Sequence, residues 1–114
     1  MSTRRQIQNF KDSLRVSSKY FTPEDAKDTL LMPKYDEKLP REKRPPYTLR
    51  SGAIYHGEWR GGYRDGFGEQ VWPDGARYIG EWKRHRAHGK GKFKHIDGDM
   101  YDGEWANDKA NGHG

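Results

Sequence analysis

An all-β repeat fold, in which two-stranded units stack side by side behind an N-terminal tail carrying one or two short helices, is what this sequence predicts. Three observations lead there. A five-residue box recurs: Tyr55-His56-Gly57-Glu58-Trp59, then Tyr78-Ile79-Gly80-Glu81-Trp82, then Tyr101-Asp102-Gly103-Glu104-Trp105, spaced by 23 residues each time. The apolar mass is aromatic, with four Trp, seven Tyr and four Phe set among fourteen Gly, a composition for rings packed over bare backbone. Charge divides the 114 residues in two: residues 1–50 hold 12 Lys and Arg against 7 acids, whereas residues 51–114 hold 10 of each.

The tail comes first. Ile7, Phe10 and Leu14 have helical spacing among Arg4, Arg5, Lys11 and Arg15, so they form the narrow apolar stripe of a short basic helix that docks on a partner. A mitochondrial presequence and a membrane-surface helix are the alternatives for that segment. Thr22-Pro23-Glu24-Asp25 reads as an N-cap, a first-turn Pro and first-turn acids, starting a second helix that ends before Pro33. From residue 33 to residue 46, Pro40, Pro45 and Pro46 favour an extended linker without a core of its own. The whole of residues 1–50 is expected to order on a partner.

Within residues 51–114 each unit has a first strand through the box and a second beginning at a Gly-x-Gly, joined by a polar loop such as residues 60–65. The Gly-x-Gly pairs are Gly66 and Gly68, Gly89 and Gly91, and Gly112 and Gly114. Ser51-Gly52, Asp74-Gly75 and Asp97-Gly98 turn the chain into each unit. Period-two alternation puts Tyr78, Gly80 and Trp82 on one face. If Trp82 lies opposite Gly89, then Gly80 meets Gly91 and Tyr78 meets Phe93, leaving a glycine floor for a neighbouring repeat's ring. The units are residues 52–74, 75–97 and a partial 98–114. The third stops where its second strand is expected to begin, so either the chain continues or another chain completes the sheet.

The boxes and their glycine pairs resemble the MORN-repeat family over residues 52–114. The second unit is the fullest match, while the first carries Gln70 where Phe93 stands in the second, with Trp72 nearby to compensate. The resemblance implies an elongated, single-layer antiparallel meander of hairpins that serves as a scaffold or docking surface. Such proteins occur in ciliary axonemes and cell-cortex structures, and other members underlie the idea that the repeats bind membranes. The implied location is the cytoplasm and its cytoskeleton, a cilium or flagellum included, with the membrane periphery or mitochondrion as alternatives.

Chemistry is sparse. Residues 83–94 carry Lys83, Arg84, Arg86, Lys90, Lys92 and Lys94 with no acid, a row that an anionic lipid, a phosphate or an acidic partner could use. Against that, Glu81 is expected across from Lys90, and Glu58 and Glu104 line the same face, giving a solvated surface of mixed sign. His85, His88 and His95 lack the thiol or carboxylate that would complete a metal set, so no metal or cofactor is expected. The recurrent glutamates are too widely spread to pair as acid and base, and no nucleophile has a supporting context, so no catalytic residue is assigned, and a third reading, after scaffold and membrane module, is the accessory domain of a longer enzyme. Nucleic acid is disfavoured, because rings consumed in packing cannot stack bases. The expected partners are other proteins of a large complex. Zero cysteines exclude a disulfide framework, and no stretch reaches the roughly 18 apolar residues of a helical membrane span.

Overall fold

The computed structural model describes residues 20–21 and 34–111. The helices expected around Ile7, Phe10 and Leu14 and after Thr22 lie outside the described residues, as do Gly112 and Gly114. Eight strands form one antiparallel sheet: β1 (Glu42–Lys43), β2 (Tyr47–Thr48), β3 (Ile54–Arg60), β4 (Tyr63–Val71), β5 (Arg77–Lys83), β6 (Arg86–Lys94), β7 (Met100–Ala106) and β8 (Lys109–Ala110). Strands β3 to β8 follow one another as a meander, and both β1 and β2 pair with the outer side of β3. The expected all-β meander is therefore the fold.

Alternation makes one face apolar. In β5 the side chains of Tyr78 and Trp82 are buried while Arg77, Ile79, Glu81 and Lys83 are exposed. The register then lines up like with like across the sheet. Gly57, Gly68, Gly80, Gly91 and Gly103 are successive partners on β3 to β7, so one glycine row crosses five strands. Beside it runs a row of Tyr55, Gln70, Tyr78, Phe93 and Tyr101. Rings from that row lean onto the glycines: a Cβ built on Gly91 would lie 2.5 Å from Cζ of Tyr78, and one on Gly68 would lie 2.5 Å from Cζ of Tyr55. Only hydrogen fits there. The ring nearest each glycine pair thus comes from the same hairpin, while the expected ring of the neighbouring repeat reaches the Gly68 and Gly91 carbonyls through its indole.

Two further expectations are corrected by the register. Trp82 pairs with Ala87, not Gly89, because the partnership shifts between Gly80 and Trp82 and leaves extra β6 residues bulged; Gly89 instead faces Trp105 of the next unit. The same shift occurs between Gly57 and Trp59. The bulge has a use. Gly66 and Gly89, at φ of 116° and 90°, make room for the Glu58 and Glu81 side chains, and Oε1 of Glu58 accepts the Phe67 N–H at 2.7 Å. Glu81 therefore sits in the bulge and not in a ladder position across from Lys90.

The hairpin loops are also shorter than the sequence suggests. Arg84-His85 and Asn107-Asp108 each adopt positive φ at both positions, the two-residue turn whose twist matches the flanking strands. Second strands consequently start three residues before the Gly-x-Gly, and the third unit already has its own in β8. Residues 64 and 65, expected in a loop, are buried in β4. Between units, the turns at residues 49–53, 72–76 and 95–99 are near copies: Gly52, Gly75 and Gly98 donate their N–H groups to Leu49, Trp72 and His95. The Asp-Gly turns stand as expected.

Candidate binding surfaces

The ring face is locked by two kinds of contact. Within a box, the tyrosine hydroxyl donates to the glutamate carbonyl three residues on, at 2.7 Å for Tyr55 to Glu58 and 2.8 Å for Tyr78 to Glu81. Between boxes, the tryptophan reaches back: Nε1–H of Trp82 donates to the Gly68 carbonyl at 3.2 Å, and that of Trp105 to Gly91 at 3.1 Å. Edge-to-face contacts run Trp59, Tyr55, Trp82, Tyr78, Trp105, Tyr101 without a gap, with centroids 5.1–5.5 Å apart. The tyrosines and tryptophans of the three boxes thus share one continuous packing row.

The turn residues add a second set of reach-back bonds. His85 donates its N–H to the Arg64 carbonyl and accepts the Arg64 N–H on Nδ1 at 3.0 Å. Asp108 repeats this one unit later, donating to the Ala87 carbonyl and accepting the Ala87 N–H on Oδ1 at 2.7 Å. Burial pushes the Asp108 carboxyl above the ordinary carboxylate range, against the Ala87 N–H and the Arg64 and Arg86 cations that pull it down. Histidine and aspartate tolerate the positive φ that this position requires.

The first unit solves its missing aromatic differently from the expected Trp72 rescue alone. Buried Arg64 stands where the other units have Ala87 and Ala110, with its guanidinium 4.6 Å from the Trp82 ring centroid and a hydrogen bond to Oε1 of Gln70. Trp72 is buried as well, 5.7 Å from the Phe93 ring. Large-for-small and polar-for-apolar exchanges in one unit compensate each other. Next to them Asp65, fully buried, accepts from the Tyr35 hydroxyl at 2.9 Å, Nε of Arg41 at 2.6 Å and the Arg84 N–H at 3.0 Å. Burial alone would raise its pKa, but these donors outweigh it and hold the carboxyl below the usual carboxylate value.

The six cations of residues 83–94 separate into two groups. Lys90, Lys92 and Lys94 are exposed on the face opposite the rings, where Lys90 stands across the ladder from Glu104 and Nζ of Lys92 lies 3.9 Å from Asp102. Mixed sign prevails on that face. Lys83, Arg84 and Arg86 instead gather with His88 and Asn107 around a recess of about 390 Å³ beside the β5–β6 turn. Of the remaining histidines, His95 pairs with Asp97 through Nδ1 at 3.0 Å, and no group of three metal-ligating side chains forms among the described residues.

Two residues escaped the sequence reading. Tyr20 and Phe21 lie against the ring face, with Phe21 5.1 Å from Trp72, 5.8 Å from Tyr78 and 5.5 Å from Trp105. The Tyr20 carbonyl accepts Nε1–H of Trp72 at 2.8 Å, and its hydroxyl donates to Oδ2 of Asp74 at 2.8 Å. The available signal was an adjacent aromatic pair in a polar segment, just before Thr22-Pro23. At the opposite end of the ring ladder, Arg44 and Tyr47 cover Trp59, with Arg44 5.7 Å from the indole and Tyr47 5.4 Å from it; there Pro45 and Pro46 help enclose a cleft of about 430 Å³. The linker expected to lack a core thus supplies part of the sheet's cover.

No curated protein matches this chain. The model of the MORN repeat matches residues 55–77, 78–100 and 101–114, more than half of the sequence. Box, glycine row and bulge recur with that same 23-residue step, and MORN repeats are in general non-catalytic modules for protein or membrane interaction. The chain belongs to the MORN-repeat family.

Proposed function

We propose that the protein is a non-enzymatic docking scaffold that fastens into a large cytoplasmic protein assembly, a cytoskeletal one such as a ciliary axoneme, through its sheet and its basic tail. The observation that carries this reading is the use of the box rings and glycines in packing. Rings lie over glycines and between repeats, and Glu58 accepts from the bulge, so these residues serve the sheet. A tail with a net excess of cations and a sheet of balanced charge supply two attachments of different character, and joined attachments of modest strength hold far better than either alone.

Detergent extraction of ciliated cells expressing the tagged full chain tests the proposal. Retention in the insoluble cytoskeletal fraction, lost on deleting residues 1–19, is expected. Complete release by detergent would refute it.

A membrane-peripheral role is the second reading, favoured by one feature: the recess lined by Lys83, Arg84 and Arg86. Co-sedimentation with vesicles containing phosphatidylserine decides it. Uptake that falls with salt and with Lys83→Ala/Arg84→Ala/Arg86→Ala supports lipid binding, whereas Lys90 and Lys92, which face Glu104 and Asp102 across the sheet, are expected to matter less.

A further inference from the structure

We infer that the ring face around Trp72, Tyr78, Phe93 and Trp105 is a docking trough for a segment bearing two adjacent aromatic residues, the first a tyrosine, and that Tyr20-Phe21 occupies it in the free protein as an internal competitor. The inference rests on the docking-scaffold reading and names the partner chemistry for one of its surfaces.

Most of the trough wall is positioned by bonds within the sheet: Trp82 and Trp105 give their indole protons to Gly68 and Gly91, and Tyr78 gives its hydroxyl proton to Glu81, whereas Trp72 gives its own to Tyr20. Tyr20-Phe21 belongs to no strand, and its rings meet side chains from all three repeats. What it contributes is a recognisable ligand pattern. One ring, Phe21, lies within 6.1 Å of Trp72, Tyr78, Trp82, Phe93 and Trp105. The other, Tyr20, lies 5.3 Å from Trp72, 5.2 Å from Phe93 and 5.6 Å from His95, and anchors a hydroxyl on Asp74. The indole of Trp72 reads a backbone carbonyl, which any peptide offers. Aromatic anchors with one side-chain and one main-chain hydrogen bond are the kind of contact by which short segments dock.

Sign of charge adds selectivity. The Tyr20 hydroxyl donates to the Asp74 carboxylate at 2.8 Å, so a phosphate on that oxygen would lose the donated proton and meet a carboxylate instead. A phosphotyrosine in the first position is therefore disfavoured.

The test uses the full chain and a fluorescein-labelled peptide of residues 16–25, read by anisotropy. Tyr20→Ala/Phe21→Ala protein is expected to bind the peptide at least about tenfold more tightly than the wild type, since an internal competitor lowers the competent fraction. A peptide with both rings replaced by alanine, and one phosphorylated at the tyrosine, are expected not to bind. Indole N–H exchange is the internal control: in the variant the Trp72 proton should exchange faster while those of Trp82 and Trp105 stay protected. Phe21→Ala alone, which keeps both Tyr20 hydrogen bonds, serves as the milder variant.

Equal affinity for wild type and variant, or no binding to a variant whose Trp82 and Trp105 protons remain protected, overturns the inference. So does loss of the sheet in both variants, because the trough would then not stand without its plug. A dimer in which each trough holds the other copy's Tyr20-Phe21, with no peptide binding, overturns it as well. Each of these failures leaves the detergent-extraction result untouched, so it is distinguishable from failure of the scaffold reading.

Discussion

Replacing Gly91 by alanine isolates the central packing device of the sheet. The glycine has ordinary backbone torsion, so an added methyl group meets no conformational penalty; it meets Tyr78, whose Cζ and Cε2 would lie 2.5 and 2.6 Å from the new Cβ. Restoring normal contact moves the ring by about 1 Å, since carbon atoms pack at roughly 3.5 Å or more. That shift stretches the 2.8 Å bond from the Tyr78 hydroxyl to Glu81 and disturbs the edge contact with Trp105 at 5.1 Å. A hydrogen bond worth about 1 kcal/mol, an aromatic pair worth about 1 kcal/mol and overpacking strain of about 1 kcal/mol or more sum to about 3 kcal/mol. Gly75→Ala is the control. It carries a φ of 98°, and its Cβ would stand 3.3 Å from Cδ1 of the exposed Ile96 side chain, which can yield, so its cost is chiefly conformational, about 1 kcal/mol. Urea denaturation followed by tryptophan fluorescence measures both. The steric account also requires coupling: in a Tyr78→Ala background the ring is gone, and Gly91→Ala should cost less than about 1 kcal/mol. Equal costs for the two glycines, or an undiminished Gly91→Ala penalty without the Tyr78 ring, would refute the reasoning.

Two further comparisons follow from the same contacts. Trp82→Phe should destabilise by about 1 kcal/mol more than Trp59→Phe, because it strands the Gly68 carbonyl, whereas Nε1–H of Trp59 has no acceptor among the described residues; equilibrium unfolding in urea reads the difference. The two buried aspartates should respond with opposite sign. Asp65, whose pKa is lowered, adds stability above its unfolded value near 3.8 that disappears as pH falls through the folded value, so Asp65→Asn should cost about 2 kcal/mol at pH 7 and less in acid. Asp108, whose pKa is raised by burial, weighs against the fold when ionised; Asp108→Asn keeps an oxygen for the Ala87 N–H and should be neutral or stabilising by up to about 1 kcal/mol at pH 7. Thermal melts of both variants from pH 3 to pH 7 check the pair, and a loss of stability in Asp108→Asn equal to that in Asp65→Asn contradicts it.

What the sequence disclosed follows the nature of each constraint. Box and glycine positions recur at a fixed step, and a strand's period of two then assigns faces, so the pairing of Gly80 with Gly91 and Tyr78 with Phe93 was accessible from spacing alone. The bulge was not, because its signature is a glycine at positive φ whose torsion is invisible in a string of letters; Gly89 looked like a ladder partner for Trp82. Arg84-His85 hid its turn because neither residue announces a left-handed conformation as Asn-Gly does. Tyr20 and Phe21 were missed for a further reason: they pack with residues more than fifty positions away, and no local period links them to Trp72 or Phe93.

Bonds of one kind between repeats run one way: Trp82, Trp105, His85 and Asp108 each reach back to satisfy a group of the preceding unit, while Arg64 and Asp65 of the first unit reach forward, to His85 and Arg84. Stability in stacked repeats is a sum over such interfaces. On the β3 side the tryptophan with nothing to reach for is Trp59, and the cover there is of another chemistry: β1 and β2 pair with the strand, Tyr47 meets the indole edge-on and Arg44 sits over it. The β3 side is thus covered by short strands and by an apolar and cationic pair, a chemistry unlike the indole and turn-residue bonds that join one repeat to the next.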